Sequence, residues 1–266
     1  MSNTEPFVVG FCGEAGTGKT SSAEILSPRA SVQNDESGLT FDHFVLATPL
    51  YALHTAKYMI RGKKIVDRQL YEIHSILLDI FGNHPLYGAP PYDDLVTLTK
   101  EIQQKKIPLD TDDKPRAFLQ ETGDMLRAVD DNCFAKSTTR KIQQKNLTRS
   151  FGLDDDPFEW VVIVSDIRRR DEAEYLMNAF DQSMLIRLNA SEEVRRARKE
   201  AIGEPFLTAE QAAHPSENVD EIPNELIDQA IETDDLTLKE QCSEISSSIG
   251  KKFDINTPKI LKEQNA

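Results

Sequence analysis

The first apolar run, Phe7-Val8-Val9-Gly10-Phe11-Cys12, is continuous, β-branched and short. A run of that kind suits a strand buried on both faces of a parallel sheet. Glu159-Trp160-Val161-Val162-Ile163-Val164 is the clearest second case. Leu39–Leu46, Met184–Leu188 and Leu226–Ile231 are further strand candidates. Helical patterns fill the intervals: Ser21–Leu26 (stopped by Pro28), Pro49–Ile60, Gln69–Phe81, Asp93–Lys105, Arg116–Leu126, Asn132–Lys145, Asp171–Phe180, Glu192–Ala201 and Leu236–Ile249. His84–Pro91, rich in Pro, Gly and Tyr, reads as a loop, and Asp110–Asp113 as a polar break. Strands alternating with helices predict an α/β layered fold around a parallel sheet. The helices at about 48–145 read as an insertion between the second strand and the Val161 strand. Residues 1–250 read as one domain, and 251–266, poor in large apolar residues, as a loosely held tail.

The chain has 266 residues, enough to bury a core without disulfide or metal staples. Lys plus Arg total 31 and Asp plus Glu 45, a net charge of −14. That balance argues against coating a nucleic-acid polymer, which needs a basic footprint. A local basic pocket for a small anion remains compatible with it. Cys12, Cys133 and Cys242 are far apart and share no ligand spacing, so a reducing cytoplasm is the expected compartment. The first residues lack a basic, apolar leader, and no stretch approaches the roughly 20 apolar residues of a membrane span.

The strongest chemical signal is Gly13-Glu14-Ala15-Gly16-Thr17-Gly18-Lys19-Thr20, which matches G-x-x-x-x-G-K-[ST] at every fixed position. A random match over this length is about a one-in-a-hundred event. The motif also follows a predicted strand and opens a predicted helix, as a phosphate-binding P-loop requires. Its backbone N–H groups would wrap phosphates at a helix N-terminus. Lys19 would reach the β/γ-phosphates of ATP, and the Thr20 hydroxyl would ligate Mg²⁺. The plain alternative is an ordinary glycine-rich turn. No N-K-x-D guanine signature occurs, and the D-x-x-G at Asp79–Gly82 ends a predicted helix. The Val161 strand leads into Asp166-Ile167-Arg168-Arg169-Arg170-Asp171-Glu172, three arginines where strand gives way to helix. In open α/β sheets that edge is where ligands bind. Arg169 and Arg170 also fit a plain solvated helix start.

The order of the later motifs is Arg116-x-x-x-Gln120-x-x-Gly123-Asp124, Asp166-x-Arg168-x-x-x-Glu172, His214-Pro215-Ser216-Glu217, then Asp228-Gln229-Ala230-Ile231. This series resembles the deoxynucleoside monophosphate kinases of tailed bacteriophages, from Phe7 to about Ile249 and least well over 48–113. The resemblance implies a three-layer P-loop kinase fold, a parallel sheet flanked by helices with a helical acceptor-binding insertion. It implies transfer of the ATP γ-phosphoryl group to a deoxynucleoside monophosphate, with Mg²⁺, in the host cytoplasm if a phage encodes the chain. By that analogy Arg116 and Arg168 hold the acceptor phosphate, and Gln120 and Gly123 shape its pocket. Glu172 and Glu217 orient the nucleoside or an arginine, and Arg68 is a further acceptor-site arginine. Asp166 either assists Mg²⁺ or orients Arg168. Expected partners are ATP and the deoxynucleotide, with no nucleic-acid polymer and no membrane, and a homodimer is compatible with the sequence.

One segment departs from the family. Arg187–Arg198 is longer and more basic than the short turn of compact members, and looks more like the lid helix of dephospho-coenzyme A kinases and other small kinases. Arg195 and Arg198, three apart on one helical face, are candidates to reach the transferring phosphate; an exposed helix with Glu192 and Glu193 pairing to Arg196 is the alternative. Another small-molecule kinase, or a nucleotide-binding regulator without turnover, therefore stays open. His43, His54, His74 and His84 share no ligand spacing. Tyr87 and Tyr92 fit either base stacking or a plain surface loop.

Overall fold

The computed structural model describes residues 5–27, 39–58, 65–82, 90–105, 115–151 and 159–255. His84, Tyr87 and the 110–113 break lie outside them. Five strands, β1 (Phe7–Cys12), β2 (Leu39–Val45), β3 (Glu159–Ile167), β4 (Ser183–Asn189) and β5 (Gln229–Glu232), form one sheet in the order β2-β3-β1-β4-β5. Every neighbouring pair is parallel. The fold is α/β, with helices on both sheet faces.

Alternate residues of the strands feed two separate cores, as the two-residue side-chain period requires. Val9, Phe11, Val161, Ile163 and Ile186 face α1 (Lys19–Leu26) and α10 (Leu238–Phe253), through Ala23, Leu26, Cys242 and Ile245. Val8, Cys12, Val162, Val164 and Leu185 face the other layer. That layer contains α7 (Arg170–Asn178) and the five helices between β2 and β3: α2 (Thr48–Tyr58), α3 (Ile65–Phe81), α4 (Tyr92–Gln104), α5 (Arg116–Arg127) and α6 (Cys133–Ser150). Burial on both faces explains why β1 and β3 read as unbroken apolar runs.

α1 follows β1 on one face, whereas α7 follows β3 on the other. The chain thus leaves two adjacent strands in opposite directions, opening a crevice beyond their carboxyl ends. The end of β3 adds a bulge. Gly10 pairs with Val164 but Cys12 pairs with Ile167, so Phe11 faces both Ser165 and Asp166. Asp166 takes φ +70°, a conformation rarely adopted by a residue with a side chain. The strand therefore runs three residues past Val164, where its apolar run stops.

The inserted helices bury the Lys57 ammonium. The Lys57 ammonium donates to the carbonyls of Ile102 (2.7 Å) and Lys105, closing the C-terminal end of α4. Burial, with the nearby Lys105 charge, lowers its pKa. Asp79–Gly82 is the C-terminal turn of α3, with Gly82 at φ +84°, consistent with its reading as a helix end. Most elements fall within a few residues of their predicted bounds. One correction concerns the last strand: 224–226 is a 3₁₀ turn, and only Gln229–Glu232 pairs with β4. α8 (Glu192–Ala201) has its predicted bounds, whereas the short α9 (Ala209–Ala212) had no periodic signal. Among the described residues no helix is long and apolar enough to cross a membrane.

Ile163 is fully buried in the α1/α10 core. Ile163→Ala is expected to destabilise the protein by about 2–5 kcal/mol. Urea unfolding followed by fluorescence of Trp160, the single tryptophan and three residues away on β3, measures the shift.

Candidate active site

The turn after β1 is built for close approach. Gly13 has φ +137°, and a Cβ there would sit 2.3 Å from the Leu188 carbonyl oxygen. Gly16, at φ +92°, lies against the backbone of Arg195. Only glycine fits both positions. Lys19 opens α1 and is almost wholly buried. Its Nζ folds back to donate to the carbonyls of Gly13 (2.6 Å) and Glu14 (2.8 Å). Burial first, then the Arg168 charge, lowers its pKa from 10.5 to about 8, against the opposing pull of Asp166 and Glu217. Thr20 is exposed on the cavity wall, whereas Thr17 is buried and donates to the Glu14 carbonyl at 3.0 Å.

Arg168 stands just past the bulge. Its Nε donates to Asp166 Oδ1 at 2.8 Å, and its Nη1 donates to Glu217 Oε1. Burial opposes its charge, but Asp166 and Glu217 outweigh that and hold its pKa above the usual arginine value. Asp166 thus orients Arg168, one of the two roles left open by the sequence. Glu172 is buried. It accepts the Arg168 backbone N–H at 3.3 Å and Arg127 Nη2 at 3.0 Å. Both glutamates therefore hold arginines.

A second strip of contacts runs along α5. Gln120 Nε2 donates to the Gln211 carbonyl (3.3 Å), and His214 Nε2 lies 3.1 Å from Asp124 Oδ2. His214 Nδ1 accepts the Ser216 backbone N–H at 3.2 Å, shaping the turn that delivers Glu217 to Arg168. His214 is thus a docking residue for this segment.

Lys19, Thr20, Arg168 with its carboxylates, and Gln120 line one cavity of about 960 Å³. It extends from the P-loop past Asp166, Arg168 and Glu217 to Arg116, Gln120 and Tyr51, and on another side to Ile202, Leu236 and Thr237. Six cationic and five carboxylate side chains line it, a local excess of positive charge in a chain of −14. The cavity joins Lys19, Thr20, Arg116, Gln120, Asp166, Arg168, Glu172 and Glu217.

Several expectations need correction. Arg68 is exposed on α3 and does not line the cavity. Arg195 does not line the cavity: Nη2 meets Glu14 Oε1 at 3.0 Å, and Nη1 donates to the Ala15 carbonyl at 3.5 Å, so it braces the P-loop. Arg198 lines the cavity but its guanidinium is engaged by Thr233 Oγ1 (3.0 Å) and the Thr233 carbonyl. The Arg196–Glu192 pair of the alternative reading is present at 2.8 Å. Arg169 pairs with Asp171 and Arg170 with Glu174, away from the cavity lining. Tyr92 is exposed beside His74 rather than in the cavity, and Tyr51 lines it instead. Arg127, Tyr51 and Gln241 were missed. A signal for Arg127 existed: positions 116, 120, 123 and 127 form one helical stripe.

No protein-family model matches the chain, and no curated protein matches it. A solved unliganded structure of a sugar kinase from Janibacter sp. HTCC2649 is similar over 98% of this chain and 100% of its own, at 13% identity and a TM-score of 0.38. A likeness at that level says nothing of substrate, so the chemistry rests on the site itself.

The Lys19 pKa sets a pH dependence. Below about 8 the ammonium is charged before any nucleotide arrives. Above it, binding a triphosphate requires proton uptake, so affinity falls as pH rises, by up to about tenfold per unit. Calorimetric titration of ATP between pH 7 and 10 is expected to show a plateau and then this loss. Lys19→Met is expected to bind weakly with no such break.

Proposed function

We propose that the protein is a kinase that transfers the ATP γ-phosphoryl group to a deoxynucleoside monophosphate. The observation that carries this reading is the shared wall of one cavity. The P-loop lysine and the carboxylate-held Arg168 stand at adjacent strand ends, close enough for each to feel the other's charge. A volume of about 960 Å³ accommodates two ligands end to end.

The reading favours an acceptor that already carries a phosphate. A phosphate oxygen is ionised at neutral pH and attacks without a general base. A neutral hydroxyl acceptor would call on a free carboxylate beside Arg168, and the three there, Asp166, Glu172 and Glu217, are each engaged by an arginine. In the transfer, an acceptor phosphate oxygen forms a bond to the γ-phosphorus while the bond to the β–γ bridging oxygen breaks, releasing ADP. The protein's task is alignment and charge neutralisation. The Gly13–Thr20 backbone and Lys19 would cradle the nucleotide. The exposed Thr20 hydroxyl suits a magnesium ion, which would offset phosphate charge when bound with ATP. The apolar side formed by Ile202, Leu236 and Leu238 suits the adenine.

A coupled ADP-release assay over the four deoxynucleoside monophosphates, ribonucleoside monophosphates and dephospho-coenzyme A tests the reading. Acceptor-dependent ADP with at least one deoxynucleotide is expected. Preference for dephospho-coenzyme A would overturn the acceptor, and ATP binding without turnover would overturn the kinase. Arg168→Lys keeps a charge but cannot span Asp166 and Glu217 as a planar fork. It is expected to lower kcat/KM for the acceptor by roughly 10²-fold or more, while ATP affinity without acceptor stays near wild type.

A further inference from the structure

We propose that Arg127, rather than Arg116, is the α5 arginine that takes the acceptor's phosphate, beside Arg168. This rests on the phosphorylated-acceptor reading above and assigns the residue that would recognise that group.

The direction of α5 decides between the two arginines. Eleven residues separate them, about 16 Å along a helix axis. Three contacts orient that axis: Gln120 meets Gln211, Asp124 meets His214, and three residues later in the same segment Glu217 reaches Arg168. The C-terminal end of α5 is thus the end at the strand edge. Arg127 stands there, joined through Glu172 to the backbone N–H of Arg168. Arg116 opens the helix, one turn beyond Gln120 and away from the transfer centre.

The surroundings of Arg127 favour an anion. Its side chain is only 11% exposed, yet it lines the cavity. Among the described residues, one of its five donors makes a hydrogen bond, to Glu172, and its buried Nε meets no partner. Asp124 is no closer than 3.9 Å, beyond hydrogen-bond reach. Phe134 supports the guanidinium plane at 5.0 Å. Gly123 leaves room for it, since a Cβ there would lie 3.0 Å from Nη1, tighter than an ordinary contact. A guanidinium with unused donors in a water-poor wall suits a multi-oxygen anion such as a phosphate monoester. Arg168, by contrast, already commits donors to two carboxylates, so the unused donors of a second arginine are what the acceptor end has to offer a phosphate.

The discriminating variant is the double substitution Arg127→Gln/Glu172→Gln. It removes both charges of a buried pair while allowing an amide–amide hydrogen bond, so it separates phosphate recognition from pairing. Binding of each deoxynucleoside monophosphate and its parent deoxynucleoside is measured by calorimetry, with melting temperature alongside. Wild type is expected to bind at least one monophosphate more tightly than its nucleoside. The double variant is expected to melt near wild type and to lose roughly 10- to 100-fold in monophosphate affinity only. Arg116→Gln is expected to lose less. Arg127→Lys keeps a cation for Glu172, so it folds even if the double variant does not, and it is expected to lose monophosphate affinity without losing nucleoside affinity. Full retention of the phosphate preference in either Arg127 variant, or its loss in Arg116→Gln instead, overturns the proposal alone. A wild-type protein that binds no monophosphate more tightly than its nucleoside overturns it together with the phosphorylated-acceptor reading.

Discussion

A cation withdrawn from water has to find compensation within hydrogen-bond reach, and that constraint organises this molecule. Lys19, Arg127 and Arg168 crowd the carboxyl ends of β1 and β3 in a protein whose overall charge is strongly negative. Each is compensated differently. Lys19 bonds the carbonyls of its own loop, Arg168 is held between two carboxylates, and Arg127 has one. The carboxylates come from three separate places: the bulge itself, the first turn of α7, and the turn after His214. Holding one small cluster of charge therefore ties together the sheet, the helical layer and the 209–217 segment.

The bulge is where this requirement meets the backbone. A regular β3 would continue its alternation past Val164 and send Ser165 and Asp166 to opposite faces. The extra residue breaks that alternation, and Asp166 accepts a positive φ, of order 1–3 kcal/mol above its preferred conformations. The ion pair with Arg168 at 2.8 Å is one interaction set against that cost. Ser165, fully buried, is meanwhile bonded to His43 of β2 at 2.7 Å. The strand end is thus over-determined from both sides, which keeps the charged groups in place before any ligand arrives.

What was legible in the sequence follows from which signals are local. The buried strands and the Gly13–Thr20 turn are contiguous, so six or eight residues suffice to specify each. The D-x-R-x-x-x-E spacing is local too, and it correctly joins Asp166, Arg168 and Glu172. The failures are of another kind. Arg195 reads as a phosphate ligand on charge and spacing, but nothing local shows that Glu14, 181 residues earlier, will claim it. Arg68 is a candidate only by the family analogy, in the stretch where the resemblance is weakest, and only packing shows that its helix face is turned to solvent. Arg127 escaped because its partner, Glu172, lies 45 residues on and its space is made by a glycine one turn back. Leu226 and Ile227 supplied the apolar start of the predicted last strand, but Leu226 closes a 3₁₀ turn and the ladder begins only at Gln229.

The helical layer then has a physical reason to be large. A P-loop and a strand edge alone hold one nucleotide; a second ligand needs a wall opposite, fixed well enough to place an attacking atom in line. α5 supplies that wall, and it cannot do so alone, because its apolar face must be buried. Phe118 and Leu126 bury it against α2, α3 and α6, whose own apolar residues reach the same core as Val162 and Val164 of the sheet. The Lys57 ammonium, capping α4 within this layer, shows the same economy: a cation in the interior is tolerated where two carbonyls meet it. The stripe of Arg116, Gln120, Gly123 and Arg127 is then presented on a helix whose opposite face is continuous with the sheet core. Small displacements of that core would be transmitted to the cavity wall, since packed interiors transmit strain rather than absorb it. Alignment of the two ligands is therefore a property of the whole insertion, and the charged residues act only because the apolar ones hold them still.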